Sequence, residues 1–138
     1  MSDNLYIMRV RLSWAKRVWR EIAIRGDQTL ADLHRGILDA FEWRDDDTYS
    51  FYMTDEIGDQ RGLFSPDADD MHNPESARLD DFDLYEEQTF IYIYGVGERN
   101  QFPIKVMMID EPDSFSDYPD VVDEHGDSPE QNFAYYDD

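Results

Sequence analysis

Three histidines, a surplus of carboxylates and one glycine-bearing loop are the groups in this chain with chemistry to offer. His72 sits in the run "DADDMHNPE", where Asp67, Asp69, Asp70 and Glu75 supply hard oxygen atoms of the kind that bind Ca²⁺ or Mg²⁺. The run lacks the spacing and central glycine of an EF-hand, and a chain with 33 acidic residues produces such clusters by composition alone, so a solvated loop is favoured over a metal site. A metal-dependent hydrolase needs a histidine and two or three carboxylates converging from separate elements, with one position left for water. His34, Asp59 and Glu98 are the set this sequence offers. The stretch "YGVGERNQF", residues 94–102, places two glycines close together, but a phosphate-cradling loop should open a helix, and here a strand pattern follows. A strand-to-strand connection is therefore expected. Arg9, Arg11, Arg17, Arg20 and Arg25 are spread over the first 25 residues and could meet phosphates, although a solvated strand face paired with the protein's own acids is favoured. No Walker loop, HExxH, GxSxG or zinc spacing occurs, and the absence of cysteine removes thiolate ligands and a Cys nucleophile. No cofactor is expected, with Mg²⁺ or Ca²⁺ at the acidic loop the weaker possibility.

The elements that must position these groups are legible from periodicity. Residues 5–12 alternate so that Tyr6, Met8, Val10 and Leu12 share one face, and residues 17–25 alternate again with Val18, Ile22 and Ile24. A hairpin is expected. Thr29 followed three residues later by Asp32 has the form of a capping box, and Leu30, Leu33, Ile37, Leu38 and Phe41 recur at helical spacing, predicting a helix over 29–42. His34 lies at the edge of that apolar stripe, where a hydrogen-bonded structural histidine is favoured over a ligand. "TYSFYMT" (48–54), "TFIYIYG" (89–95) and "FPIKVMMI" (102–109) read as three more strands, with a long loop over 55–78 and a short turn or helix at 79–87 docking Leu79, Phe82 and Leu84. The order β-β-α-β-loop-β-β predicts an α+β domain, a mostly antiparallel five-stranded sheet under one main helix, with a β-grasp-like arrangement one outcome. Residues 1–110 form the expected domain. Residues 111–138 form an acidic extension, draped in part over the domain by its apolar anchors and disordered at its end.

Charge bounds the partners. The formal net charge is −21, mean hydropathy is −0.75, and only two of the 12 basic residues are lysines. Residues 1–44 hold eight basic and six acidic residues, whereas residues 45–138 hold four and 27, so a polyanion meets repulsion over most of the molecule. Nucleic acid is disfavoured, and any such site must lie in the first hairpin. At molar salt the Debye length falls to about 3 Å, which would relieve the self-repulsion of so acidic a chain. A cytoplasmic protein of a salt-accumulating, haloarchaeal cell is the expectation, since no apolar run of about 18 residues and no leader pattern occurs.

In order along the chain, "VWREIAI" (18–24), "TLADLHRGILDAFEW" (29–43), "LDDF" (79–82) and "FIYIYGVGERNQFPIKV" (90–106) resemble the Ri-plasmid ORF-three-like family, whose members are also labelled insertion-sequence passenger proteins of TnpR type. Trp19, Arg20, Leu33, His34, Trp43, Phe90, Tyr92, Tyr94 and Gly97 match the family pattern, as do Pro119, Gly126, Pro129 and Gln131 near the end. The resemblance implies an α+β domain linked to mobile elements and supplies no established reaction. Departures concentrate in one loop: Gly95 stands for Asp, Val96 for Phe, Glu98 for Asp, Asn100 for Trp and Phe102 for His. The candidate cleft is accordingly Trp19, Arg20, His34, Trp43, Tyr94, Gly97 and Glu98. With catalytic motifs missing and that loop eroded, a non-catalytic module binding a protein partner is the leading expectation. A metal-dependent hydrolase using Glu98, His34 and loop carboxylates is the alternative, and nucleic-acid binding through the arginine-rich hairpin comes third.

Overall fold

The computed structural model of the chain describes residues 3–53, 62–95, 100–114 and 116–131. Its elements are β1 (Leu5–Leu12), β2 (Ala15–Arg25), α1 (Leu30–Phe41), β3 (Tyr49–Tyr52), β4 (Leu63–Phe64), β5 (Thr89–Tyr94), β6 (Asn100–Asp110) and β7 (Asp120–His125). They build one sheet in the order β4-β3-β5-β6-β1-β2-β7, with every neighbouring pair antiparallel. Short 3-10 turns at Asp70–His72 and Leu79–Phe82 punctuate the connection from β4 to β5.

The α+β class holds, but the expected five-stranded sheet is corrected to seven strands, and with all pairs antiparallel the β-grasp-like arrangement goes with it. Both added strands lie where hydrophobic periodicity carries no signal. β4 is two residues long, too short for any alternation to register. β7, "DVVDEH", leaves all six residues exposed, so it buries no side-chain face and is held through its backbone ladder to β2. A pattern search reads side chains; this strand is specified by edge hydrogen bonds.

The core lies between α1 and one sheet face. Tyr6, Met8, Val10 and Leu12 of β1, Ile22 and Ile24 of β2, Phe51 of β3, Phe90, Tyr92 and Tyr94 of β5, and Phe102, Ile104 and Val106 of β6 are buried together with Leu30, Leu33, Ile37, Leu38 and Phe41 of α1. Each such aliphatic or aromatic side chain contributes about 1.5–3 kcal/mol by leaving water. Together they fix α1 on this face, which a twelve-residue helix could not achieve by propensity alone. The capping box forms as the sequence predicts: the Asp32 amide donates to Thr29 Oγ1 at 3.2 Å and the Thr29 amide donates to Asp32 Oδ2 at 3.0 Å.

The helix ends at Glu42, which adopts a left-handed conformation with φ 59°, while the Trp43 amide reaches back to the Leu38 carbonyl at 2.9 Å. A non-glycine residue there costs about 1–2 kcal/mol, and the turn it makes sends residues 43–46 back against the helix and sheet. Gly36 serves a second close approach: a Cβ at that position would stand 2.9 Å from Pro119 Cγ, so the segment leading into β7 packs directly on the helix backbone.

Candidate functional site: a buried histidine and tyrosine cluster

His34 projects from α1 toward β3 and β5 and is 2% exposed. Its Nδ1 lies 2.6 Å from the Tyr92 hydroxyl, its Nε2 lies 3.1 Å from Asp45 Oδ2, and its ring stacks on Tyr49 with centroids 3.6 Å apart and planes within 6°. These contacts assign the tautomer. A carboxylate only accepts, so Nε2 carries the proton and donates to Asp45; a neutral ring then leaves Nδ1 to accept from the Tyr92 hydroxyl. Burial lowers the His34 pKa below the usual histidine value, against an opposing pull from Asp45, and this favours the neutral ring. Burial also raises the Tyr92 hydroxyl well above its ordinary value, so that hydroxyl keeps its proton to donate. Desolvation pushes Tyr49 and Tyr94 up to about 12, with nearby carboxylates adding to the shift.

The neighbours are equally well satisfied. The Tyr94 hydroxyl accepts from the Asp46 amide at 2.7 Å and faces the Arg44 carbonyl at 2.8 Å and Asp46 Oδ1 at 2.9 Å. Trp43 packs edge-on against Phe102 and donates through Nε1 to the Pro129 carbonyl at 2.9 Å. Arg20, 5% exposed, is a bracket between elements: Nε donates to the Ala40 carbonyl near the end of α1 at 3.2 Å, and Nη1 donates to the Trp19 and His125 carbonyls at 2.8 and 3.2 Å. A guanidinium at a helix C-terminus meets unpaired carbonyls and the negative end of the dipole. Among the described residues no buried side-chain nitrogen or oxygen lacks a partner.

The candidate cleft residues therefore divide. His34, Trp43 and Tyr94 are linked through ring contacts, and Arg20 joins them by lying 5.2 Å over the Phe41 ring, itself beside Trp43. Trp19 belongs to the opposite sheet face, because successive residues of β2 alternate sides. Gly97 and Glu98, like Asp59, lie outside the described residues. Asp69 of the acidic loop caps its own 3-10 turn, bonding the His72 amide at 3.0 Å and His72 Nδ1 at 2.8 Å, which also holds the Asp69 carboxyl below its usual range. Glu75 pairs with Arg35 at 3.3 Å, while Asp67 and Asp70 are exposed to solvent. Among the described residues no group of three or more His, Asp or Glu side chains is placed to hold a metal ion. Asp45, the partner that orients His34, was hidden in "RDDD", a run whose composition marks a break and carries no period.

Chemically, a Tyr-His-carboxylate chain is the geometry that activates a hydroxyl. Here the hydroxyl belongs to Tyr92, which is 0% exposed, so no substrate atom can reach it and the chain works as a rigid polar clasp between helix and sheet.

A family model described as Plasmid pRiA4b ORF-3-like protein matches residues 4–135. Among solved structures, a protein of unknown function, MM3350 from Methanosarcina mazei Go1, shares this fold with a TM-score of 0.79 at 20% identity, covering 96% of this chain and 75% of its own. No curated protein matches. Among the described residues no helix is long and apolar enough to cross a membrane.

Proposed function

The chain belongs to the plasmid pRiA4b ORF-3-like protein family, and from that premise we propose that it is a non-catalytic interaction module that meets a protein partner through the open face of its sheet. The observation that carries this reading is the division of labour between the two faces. On the covered face both ring nitrogens of His34 are engaged and the hydroxyl beside it is sealed from solvent, so neither group of this pair is free for a metal or a substrate. On the opposite face β1, β2 and β6 present Arg9, Arg11, Trp19 and Lys105, with the Arg9 guanidinium 4.0 Å over the Trp19 ring. Aromatic and arginine side chains of this kind supply most of the energy at protein interfaces. Capture from a lysate of the source organism at molar salt is expected to recover a defined partner with the wild type and with Asp45→Asn, and to lose it with Arg11→Glu. Equal capture by Arg11→Glu, or no defined partner, would overturn the reading.

The net charge of −21 supports a cytoplasmic role in a salt-accumulating cell, and the plasmid in the family description supports a link to mobile elements. Circular dichroism from low to molar KCl is then expected to find folded protein only toward the high end, as screening relieves the repulsion among the acids. A fold indifferent to salt would remove the halophilic element of the proposal.

A further inference from the structure

The open sheet face carries a concavity of about 290 Å³ lined by Arg9, Arg11, Thr89, Pro103, Lys105 and Met107. Its origin lies in the β6 sequence. The ladder between β1 and β6 is interrupted after Val10 opposite Ile104, because the next residue of β6 is Pro103, which has no N–H to donate, and the strands meet again where the Ser13 amide donates to the Gln101 carbonyl at 2.9 Å. Register places Arg9 opposite Lys105 and Lys105 opposite Thr89, so three polar side chains stand abreast across β1, β6 and β5. Neighbouring strands are about 4.8 Å apart. Arg11 stands two residues beyond Arg9 on the same face, about 7 Å away, and opposite Trp19 of β2. A chain with 12 basic residues against 33 acidic ones thus gathers three cations around one depression.

We propose that this depression is a binding site for a phosphate monoester of a small organic molecule. The proposal rests on the reading above in taking the open face as the binding surface, and it names the chemistry recognised there. Two of the three cations already have carboxylate partners: Arg9 pairs with Glu21, and Lys105 Nζ lies 2.7 Å from Glu87 Oε2. A monocarboxylate ligand would exchange one such pair for an equivalent one and gain little. A phosphoryl group carries up to two charges and three strong acceptor oxygens, so it can hold Arg9 and Lys105 together and also engage Arg11, which makes no ion pair among the described residues. Guanidinium forks match phosphate oxygens two at a time. Pro103 and Met107 supply an apolar floor for the organic part. The volume favours a small molecule over a polymer: it sits at the lower limit of ligand pockets, about 300 Å³, and Glu21 and Glu87 stand against Arg9 and Lys105, so a longer polyanion would meet repulsion beyond the third cation.

Calorimetry with phenyl phosphate as probe tests the site on the full chain. Saturable binding is expected with the wild type, weakened roughly tenfold or more by Arg11→Gln and by Lys105→Gln, as for a lost charge-assisted hydrogen bond. It should be unchanged by Arg35→Gln, which removes an exposed cation elsewhere. Affinity should fall below about pH 6 as the phosphate loses its second charge. No saturable binding, or equal affinity in Arg11→Gln, would overturn the proposal, and a phosphoserine peptide binding far tighter than phenyl phosphate would overturn its small-molecule source. Partner capture in the experiment above with no phenyl phosphate binding would remove this site and leave the interaction module standing. Phenyl phosphate binding without a partner would do the reverse.

Discussion

Replacing His34 with Leu is expected to lower the unfolding free energy by about 2–3 kcal/mol and to flatten the acid limb of the stability curve. Leucine fills much of the ring's volume and keeps helix propensity, so the loss comes mainly from the Tyr92 hydroxyl, which would stay buried without its acceptor at a cost of about 1–3 kcal/mol. Asp45, half exposed, regains water instead. The pH dependence follows from the lowered pKa of His34. Below the usual histidine value of 6.5 the unfolded chain takes up a proton that the folded ring resists, so the contribution of His34 is fully present above that value and is lost as pH falls toward the folded pKa. Urea midpoints at pH 7.5 and pH 5 measure this directly: the wild type should lose stability between them, and His34→Leu should lose less. Tyr92→Phe should cost about 1 kcal/mol, and the double variant should cost less than the sum, because the orphaned hydroxyl has gone. Additive effects, or identical slopes in wild type and His34→Leu, would show that the clasp contributes nothing.

That cluster also marks where the sequence was readable and where it was not. Leu30, Leu33, Ile37, Leu38 and Phe41 announce α1 because a buried stripe on a helix must repeat at its period, and Thr29 with Asp32 announces its start by the same local logic. The alternating strands β1, β2, β3, β5 and β6 are legible for the same reason. β7 is not, since its specification is a backbone ladder to β2 and the close approach of Pro119 to Gly36, and neither leaves a periodic trace. His34 could be placed at the edge of the stripe and expected to be structural, but its partners are 11 and 58 residues away and depend on the Glu42 turn and on the β3–β5 register, which are tertiary facts. Arg20 reads in sequence as one of five hairpin arginines. Only the alternation of β2 separates it, on the helix side among carbonyls, from Arg9 and Arg11 on the open side.

Phe102 gives the largest expected single effect, and it tests what the altered loop has become. In the resemblance drawn from sequence this position holds a histidine in the family's polar stretch, and Asn100 holds a tryptophan. Here Phe102 is fully buried, with its ring 5.4 Å from Phe41, 5.5 Å from Trp43 and 5.4 Å from Tyr92, and Asn100 is buried with its Oδ1 accepting from Trp14 Nε1 at 3.2 Å. Both departures convert the β6 entry into core. Phe102→Ala should therefore cost about 3–5 kcal/mol, the transfer loss plus the cavity left among rings that cannot collapse together, and lower Tm by roughly 10 °C or more. Phe102→His, which restores the family's residue, should cost nearly as much at pH 7 and more at pH 5, because a fully buried imidazole here would face three aromatic rings and resist its proton. Thermal melts of both variants at the two pH values provide the check. If Phe102→His were as stable as the wild type, the site would still accommodate a polar group at this position, and the division between a sealed helix-side face and a binding face on the other side of the sheet would have to be redrawn.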